Sequence, residues 1–268
     1  MKFLFWNLNR RDIPGLVRAV TLEHNIDVLI LAECVIPDSV ILFRLNTGEP
    51  DYQYARGNCA RVMIFVRFDR HRVSLLYESH RTSIRRLTLP AGDPLILAAT
   101  HLPSKLNMGE ESQVYECVHL ARVIDELERK EGHQRTLLIG DLNMNPFEHG
   151  LVAARGGLNA VMDRAVAARS TRTLQTEKYK YFYNPMWNYL GDHRAPAGSF
   201  FFESSEAVCY FWNLFDQVLL RPALLPHFAP ENLRILTQVG DRNLLNPAGR
   251  PCRDTASDHL PILLQLDL

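Results

Sequence analysis

The chain has 268 residues, 47% of them hydrophobic, and its 30 basic and 30 acidic side chains cancel. Such a chain can bury a large core without staples, and its balance of charge excludes recognition of a polyanion by net charge alone. Five cysteines (Cys34, Cys59, Cys117, Cys209 and Cys252) show no C-x-x-C spacing, which favours a reducing, cytoplasmic setting over a disulfide framework or structural zinc.

Lys2-Phe3-Leu4-Phe5-Trp6 reads as a buried strand running into Asn7-Leu8-Asn9, too short an apolar run for a secretory signal. From Asp12, residues Ile13, Leu16, Val17 and Val20 follow helical spacing, with Asp12 as N-cap and Pro14 in the first turn. Asp27 to Ala32 is a second buried strand and closes on Glu33, and Arg61–Phe68 and Val73–Tyr77 are shorter strands. Leu95 to Thr100 ends on His101. A helix follows over Ser112–Glu128, with Val114, Cys117, Val118, Ala121 and Ile124 on one face.

Leu137-Leu138-Ile139-Gly140 then presents Asp141-Leu142-Asn143-Met144, and Asn145-Pro146-Phe147-Glu148 carries the N-cap, N1 proline and N3 glutamate of a short helix start. Phe215–Leu220 and Ile262–Leu268 complete the strands, the last with Ile262, Leu264, Leu266 and Leu268 on one face, and Ser257-Asp258-His259 stands just before it. No segment approaches the length of a membrane span. These elements predict an α/β chain of two packed mixed sheets flanked by helices. A single domain over 1–268 is expected, because the polar strand ends run from Asn7 to His259 and a division would split them.

Carboxylates, amides and histidines at strand ends are the ingredients of a hydrolase that uses a hard cation. In order, Trp6-Asn7-Leu8-Asn9, Glu33, Gly140-Asp141-Leu142-Asn143, Phe215-Asp216-Gln217-Val218-Leu219 and Ser257-Asp258-His259 resemble the signatures of the endonuclease/exonuclease/phosphatase superfamily, the deoxyribonuclease I-like fold. That resemblance spans nearly the whole chain. It implies a four-layer α/β sandwich with the site at one edge between the sheets.

The resemblance also implies roles. Glu33 is the first choice of metal ligand for Mg2+ or Mn2+, with Asn7 and Asp258 secondary. Asp141 orients and deprotonates the attacking water, and Asn143 contacts the phosphate. His259 stabilises the developing charge and is oriented by Asp216, while His101 is a second phosphate ligand or the acid that protonates the leaving oxygen. A histidine in Thr100-His101-Leu102 is similar to deoxyribonuclease I-type nucleases, deadenylases, tyrosyl-DNA phosphodiesterases, sphingomyelinases and inositol-phosphate phosphatases. Abasic-site endonucleases generally carry tyrosine there, which disfavours abasic-site repair.

Substrate contacts are assigned to Asn9, Arg61, Asn184 and Trp187, with Arg56 another phosphate contact. Arg164, Arg169, Arg172, Lys178 and Lys180, followed by Tyr181, Phe182 and Tyr183, could track a nucleic-acid strand or could be a solvated loop whose aromatics enter the core. The leading expectation is a nuclease acting on DNA or RNA without a membrane anchor. The alternatives are a phosphatase or phosphodiesterase of a small phosphorylated metabolite or lipid headgroup, and a catalytically silent binding module.

Overall fold

The computed structural model describes residues 1–89, 92–105 and 109–268. Among them, a six-stranded sheet runs in the order Leu233–Ile235, Ile262–Gln265, Lys2–Asn7, Val28–Ala32, Val62–Val66, Gln53–Tyr54. A seven-stranded sheet runs Val73–Glu78, Thr82–Leu87, Leu95–His101, Thr136–Asp141, Asp216–Leu220, Phe182–Tyr183, Ala160–Val161. Both are mixed. Lys2–Asn7 pairs in parallel with Val28–Ala32, and Leu95–His101 with Thr136–Asp141, while their other neighbours are antiparallel, apart from the short parallel pair at the edge of the second sheet.

Each long parallel pair needs a crossover, and the helices Pro14–Glu23 and Glu110–Glu131 supply them. A crossover returns the chain to the same end of the sheet. Asn7, Glu33, His101 and Asp141 therefore all stand at one edge.

Strand alternation explains the layers. Leu95, Leu97, Ala99, Leu137, Ile139, Val218 and Leu220 share one core with the first sheet, whereas Ile96, Ala98, Leu138 and Leu219 pack on Cys117, Leu120, Val123, Ile124 and Leu127 of the long helix. Leu16, Val17 and Val20 of the first helix and Ile41 and Leu45 of the helix Asp38–Leu45 cover the first sheet. The order is helix, sheet, sheet, helix, the four-layer sandwich.

Local differences have local causes. The first helix starts at Pro14, with Ile13 in the cap position and no side-chain cap, so Asp12 is one residue too early to act as N-cap. The Asn145–Glu148 segment forms a turn, and the helix itself is His149–Val152. Even so, Glu148 reaches back to accept the Asn145 N–H at 2.8 Å, the reciprocal bond expected of a capping glutamate. The strand Thr82–Leu87 escapes a hydrophobic reading because Arg85 is buried in it, paired with Glu78 at 2.9 Å.

Gly140 sits where the site strand presses closest on its neighbour. A Cβ there would lie 1.9 Å from the Thr100 carbonyl oxygen. Thr100 cannot move without shifting His101, so Gly140→Ala is expected to cost about 3 kcal/mol, the upper range for overpacking. A thermal melt should show this as a fall of about 6–12 °C.

Candidate active site

A cleft of about 950 Å³ opens at the edge where these strand ends meet. Asn7, Asn9, Glu33, Arg61, His101, Asp141, Asn143, Asp258 and His259 line it, and Asp216 lies directly behind His259. The loops are held by their own polar groups. Ser257 donates its hydroxyl to the Asn7 carbonyl at 2.7 Å, and the Trp6 indole N–H donates to the His259 carbonyl at 2.9 Å. The amide of Gln113 on the long helix donates to the carbonyls of Pro103 and Asn143, tying the two loops that follow the parallel strands.

Glu33 and Asn143 adopt left-handed backbone conformations, with φ of 46° and 50°. Asn tolerates this region, but for Glu it costs on the order of 1 kcal/mol, a strain that turns the Glu33 carboxylate into the cleft.

Asp141 is almost completely buried. One oxygen accepts the Asn7 amide at 2.9 Å and the other accepts the Asn143 backbone N–H at 2.9 Å. Burial, then repulsion from Asp216, raises its carboxyl to about 6.

His259 donates through Nδ1 to Asp216 at 2.8 Å. Burial alone would favour its neutral form, but Asp216, with Asp141 and Asp258, overrides this and raises the imidazole to about 10. The ring is therefore charged at neutral pH, with its second N–H left for a ligand. His101 is the opposite case. Its Nε2 lies 3.5 Å from both Glu33 and Asp141, yet burial holds it down to about 4, so it meets the cleft as a neutral imidazole.

The carboxylates of Asp141 and Asp216 and the imidazole of His259 place ligand atoms within 4.8 Å of one another. A cation among them would compete with the proton that His259 gives to Asp216. Glu33, Asn7 and Asp258 line the same cleft and offer an oxygen-only set, the chemistry a hard divalent cation takes.

Two expected substrate residues do not reach the cleft. Asn184 is fully buried and donates to Gln217, which in turn donates to the Met144 carbonyl at 2.6 Å, so it braces the Asp141 loop from behind. Trp187 packs behind Phe147 at 6.3 Å and does not line the cleft. Arg56 is exposed and also lies outside it.

The segment from Arg164 to Tyr183 contributes no lining residue. Tyr181, Phe182 and Tyr183 enter the core, Lys180 pairs with Asp125 and Glu128, and Arg164 bonds the Leu225 carbonyl. Of the two readings of that segment, its aromatics follow the one that turns them inward.

Sequence reasoning missed the opposite wall. Strands Phe200–Phe202 and Phe211–Asn213 form a hairpin that brings Phe200, Phe202 and Tyr210 to the cleft. The Phe200 ring lies 4.6 Å from the His259 ring, and Tyr210 packs on Phe147 at 5.4 Å. Phe202, Tyr210 and Phe147 are nonetheless exposed. The run Phe200-Phe201-Phe202 was the available signal. Arg10 and Arg81 also line the cleft, and no motif marks them.

A comparison with curated protein sequences gives no match. Among solved structures, the 3′ phosphatase NExo from Neisseria bound to product DNA hairpin is similar at a TM-score of 0.59 and 16% identity, over 100% of both chains. An AP endonuclease from Archaeoglobus fulgidus follows at 0.57 and 14%, again over 100% of both chains. An endonuclease/exonuclease/phosphatase family protein from Bacteroides thetaiotaomicron gives 0.55 and 14%, over 99% of this chain and 97% of that one. At such identities these likenesses establish the fold. The pattern of the Endonuclease/Exonuclease/phosphatase family matches residues 4–259, and the chain belongs to that family.

Proposed function

We propose that this chain is a Mg2+- or Mn2+-dependent phosphodiester hydrolase, a nuclease acting on DNA or RNA and folding as one domain over 1–268. The observation that carries the reading is the pairing of two opposite groups in one cleft. Asp141 is a buried carboxylate poised near neutrality, and His259 is an imidazolium fixed by Asp216.

A phosphodiester resists attack because it is anionic and its leaving oxygen must accept charge. Asp141, oriented by Asn7 and the Asn143 N–H, takes a proton from the attacking water. His259 donates its free ring N–H to the phosphoryl oxygens and holds the charge that develops there. Asn143 lines the cleft beside Asp141 and spends one amide N–H on the Leu102 carbonyl, so its second N–H is the one that contacts the phosphate. His101, whose Nε2 lies 3.5 Å from both Glu33 and Asp141, is a second phosphate ligand or the acid that protonates the leaving oxygen. A divalent cation held by Glu33, with Asn7 and Asp258, would neutralise the phosphate and the leaving oxygen.

A nucleic-acid substrate is supported by the exposed rings of Phe202, Tyr210 and Phe147 beside the charged site, since bases stack on such surfaces. Of the similar structures, the Neisseria phosphatase is bound to a product DNA hairpin and the Archaeoglobus protein is named an AP endonuclease. The five cysteines are all free, in keeping with a reducing compartment such as the cytoplasm. A small phosphate ester is the second reading, favoured because the Arg164–Tyr183 segment lies away from the cleft.

Salt separates the two. Cleavage of a labelled oligonucleotide should fall steeply in kcat/KM as salt rises, while a small diester such as bis-p-nitrophenyl phosphate should respond only shallowly. A shallow response with both substrates would overturn the polymer assignment.

A further inference from the structure

We propose that the hairpin of strands Thr171–Leu174 and Glu177–Lys180 is an arm that binds duplex DNA at the end of the molecule opposite the cleft. This goes beyond the hydrolase reading and does not depend on it. The two strands pair only with each other, Arg172 opposite Tyr179 and Thr173 opposite Lys178. Residues 168–178 are exposed throughout, so packing alone gives the ribbon no role.

The core behind the ribbon fixes its position. The Ser170 carbonyl accepts the Tyr181 N–H at 2.9 Å and closes the base of the hairpin. The Tyr181 carbonyl in turn accepts a guanidinium N–H of Arg221 at 3.1 Å. Arg221 follows the strand that opens with Asp216, roughly 17 Å along it at the usual rise per residue. The ribbon therefore leaves the sheet at the end away from His259, out of reach of the phosphate being cleaved.

Charge selects the partner. Arg169, Arg172 and Lys178 are exposed on the ribbon and at its base, and no carboxylate lies within ion-pair distance of them among the described residues. Lys180 is neutralised by Asp125 and Glu128, and the carboxylate of Glu177 accepts the Tyr179 hydroxyl at 2.5 Å. Each strand has an unpaired edge, which ordinarily invites a strand from a second copy, but two ribbons of like charge repel. An anionic partner is attracted instead. A two-stranded ribbon fits the major groove of B-form DNA, roughly 12 Å wide, where its cations meet phosphates and the hydroxyls of Thr171 and Thr173 add neutral donors. The deep, narrow major groove of duplex RNA does not admit it.

The test measures binding in chelator, by fluorescence anisotropy, of a labelled DNA duplex, an RNA duplex of the same length and poly-glutamate. Wild type is compared with Arg169→Gln/Arg172→Gln/Lys178→Gln. Between about 50 and 200 mM salt, wild-type affinity for DNA should fall roughly 40-fold more than the variant's, the share of three phosphate contacts. Lys178→Gln alone should remove about one third of that excess slope, which keeps the test decisive if the triple variant melts early. Equal salt slopes in wild type and variants, or no DNA binding by wild type, overturn the arm. RNA bound as tightly as DNA overturns the groove assignment, and poly-glutamate bound as tightly through the same residues overturns the nucleic-acid assignment. Hydrolysis of bis-p-nitrophenyl phosphate with Mg2+ or Mn2+ should be equal in all these proteins, and a loss confined to the variants would contradict a site remote from the cleft. If wild type hydrolyses nothing, the hydrolase reading fails, and DNA binding in chelator still decides the arm.

Discussion

Asp216→Asn is expected to lower the melting temperature near neutral pH and to remove most of the turnover. Asp216 is completely buried and accepts the His259 Nδ1 proton at 2.8 Å. With an amide in its place, burial dominates and the imidazole becomes neutral. Breaking a buried pair by removing one partner costs about 3 kcal/mol. Losing the positive ring at the phosphate should cost turnover roughly 10²–10³-fold.

The pH dependence has a definite sign. The His259 imidazole lies at about 10 in the folded chain against an ordinary 6.5. The stabilisation it confers is complete below about pH 6.5 and drains away as pH rises through about 10. Thermal melts across that window should show wild type losing stability towards alkaline pH, and Asp216→Asn should lack that decline. An identical decline in both proteins would contradict the assignment of the pair.

Asp141→Ala is expected to reduce kcat by roughly 10²–10⁴-fold, the range for a removed general base, with Tm within a few degrees of wild type. The small stability change follows from the site. Burial and Asp216 raise this carboxyl to about 6, so ionised Asp141 weakens the fold at neutral pH even as it serves the chemistry. Native Asp141 binds its proton more tightly than the unfolded chain does. Stability therefore declines from about pH 4 to about pH 6 on its account, while turnover, which needs the ionised base, rises through the same ionisation. A bound cation nearby would move that acid limb lower. Circular dichroism melts beside single-turnover rates check both halves.

Strand ends were legible in the sequence because their chemistry is abrupt. Leu137-Leu138-Ile139-Gly140-Asp141 changes from wholly apolar to charged within one residue, and the structure buries that strand throughout. Parallel pairing then carries Asn7, Glu33, His101 and Asp141 to one edge, a consequence of two crossover helices whose apolar faces were also readable. The glycine before Asp141 has a packing reason that sequence alone does not display, the Thr100 backbone in the next strand.

What escaped the sequence depends on distant partners. Arg85 looks like a surface residue until Glu78 pairs with it inside the sheet, and Lys180 looks like a free cation until Asp125 and Glu128 meet it. Asn184 and Trp187 form a polar, aromatic cluster in the chain, yet Gln217 claims the first, and the second meets Phe147 edge to face without lining the cleft. Conversely, Arg61 and Arg81 are seen to line the cleft only once the strands are assembled. The phenylalanines of Phe200–Phe202 gain meaning only when the hairpin folds over His259.

Cleavage of labelled single- and double-stranded DNA, RNA and bis-p-nitrophenyl phosphate, by wild type and Asp141→Ala with Mg2+, Mn2+ or chelator, tests the central claim most directly. Metal-dependent cutting of a nucleic-acid strand by wild type, lost with chelator and in Asp141→Ala, is the predicted result. Cutting that persists in the variant, or no hydrolysis of any substrate by wild type with either metal, would contradict it.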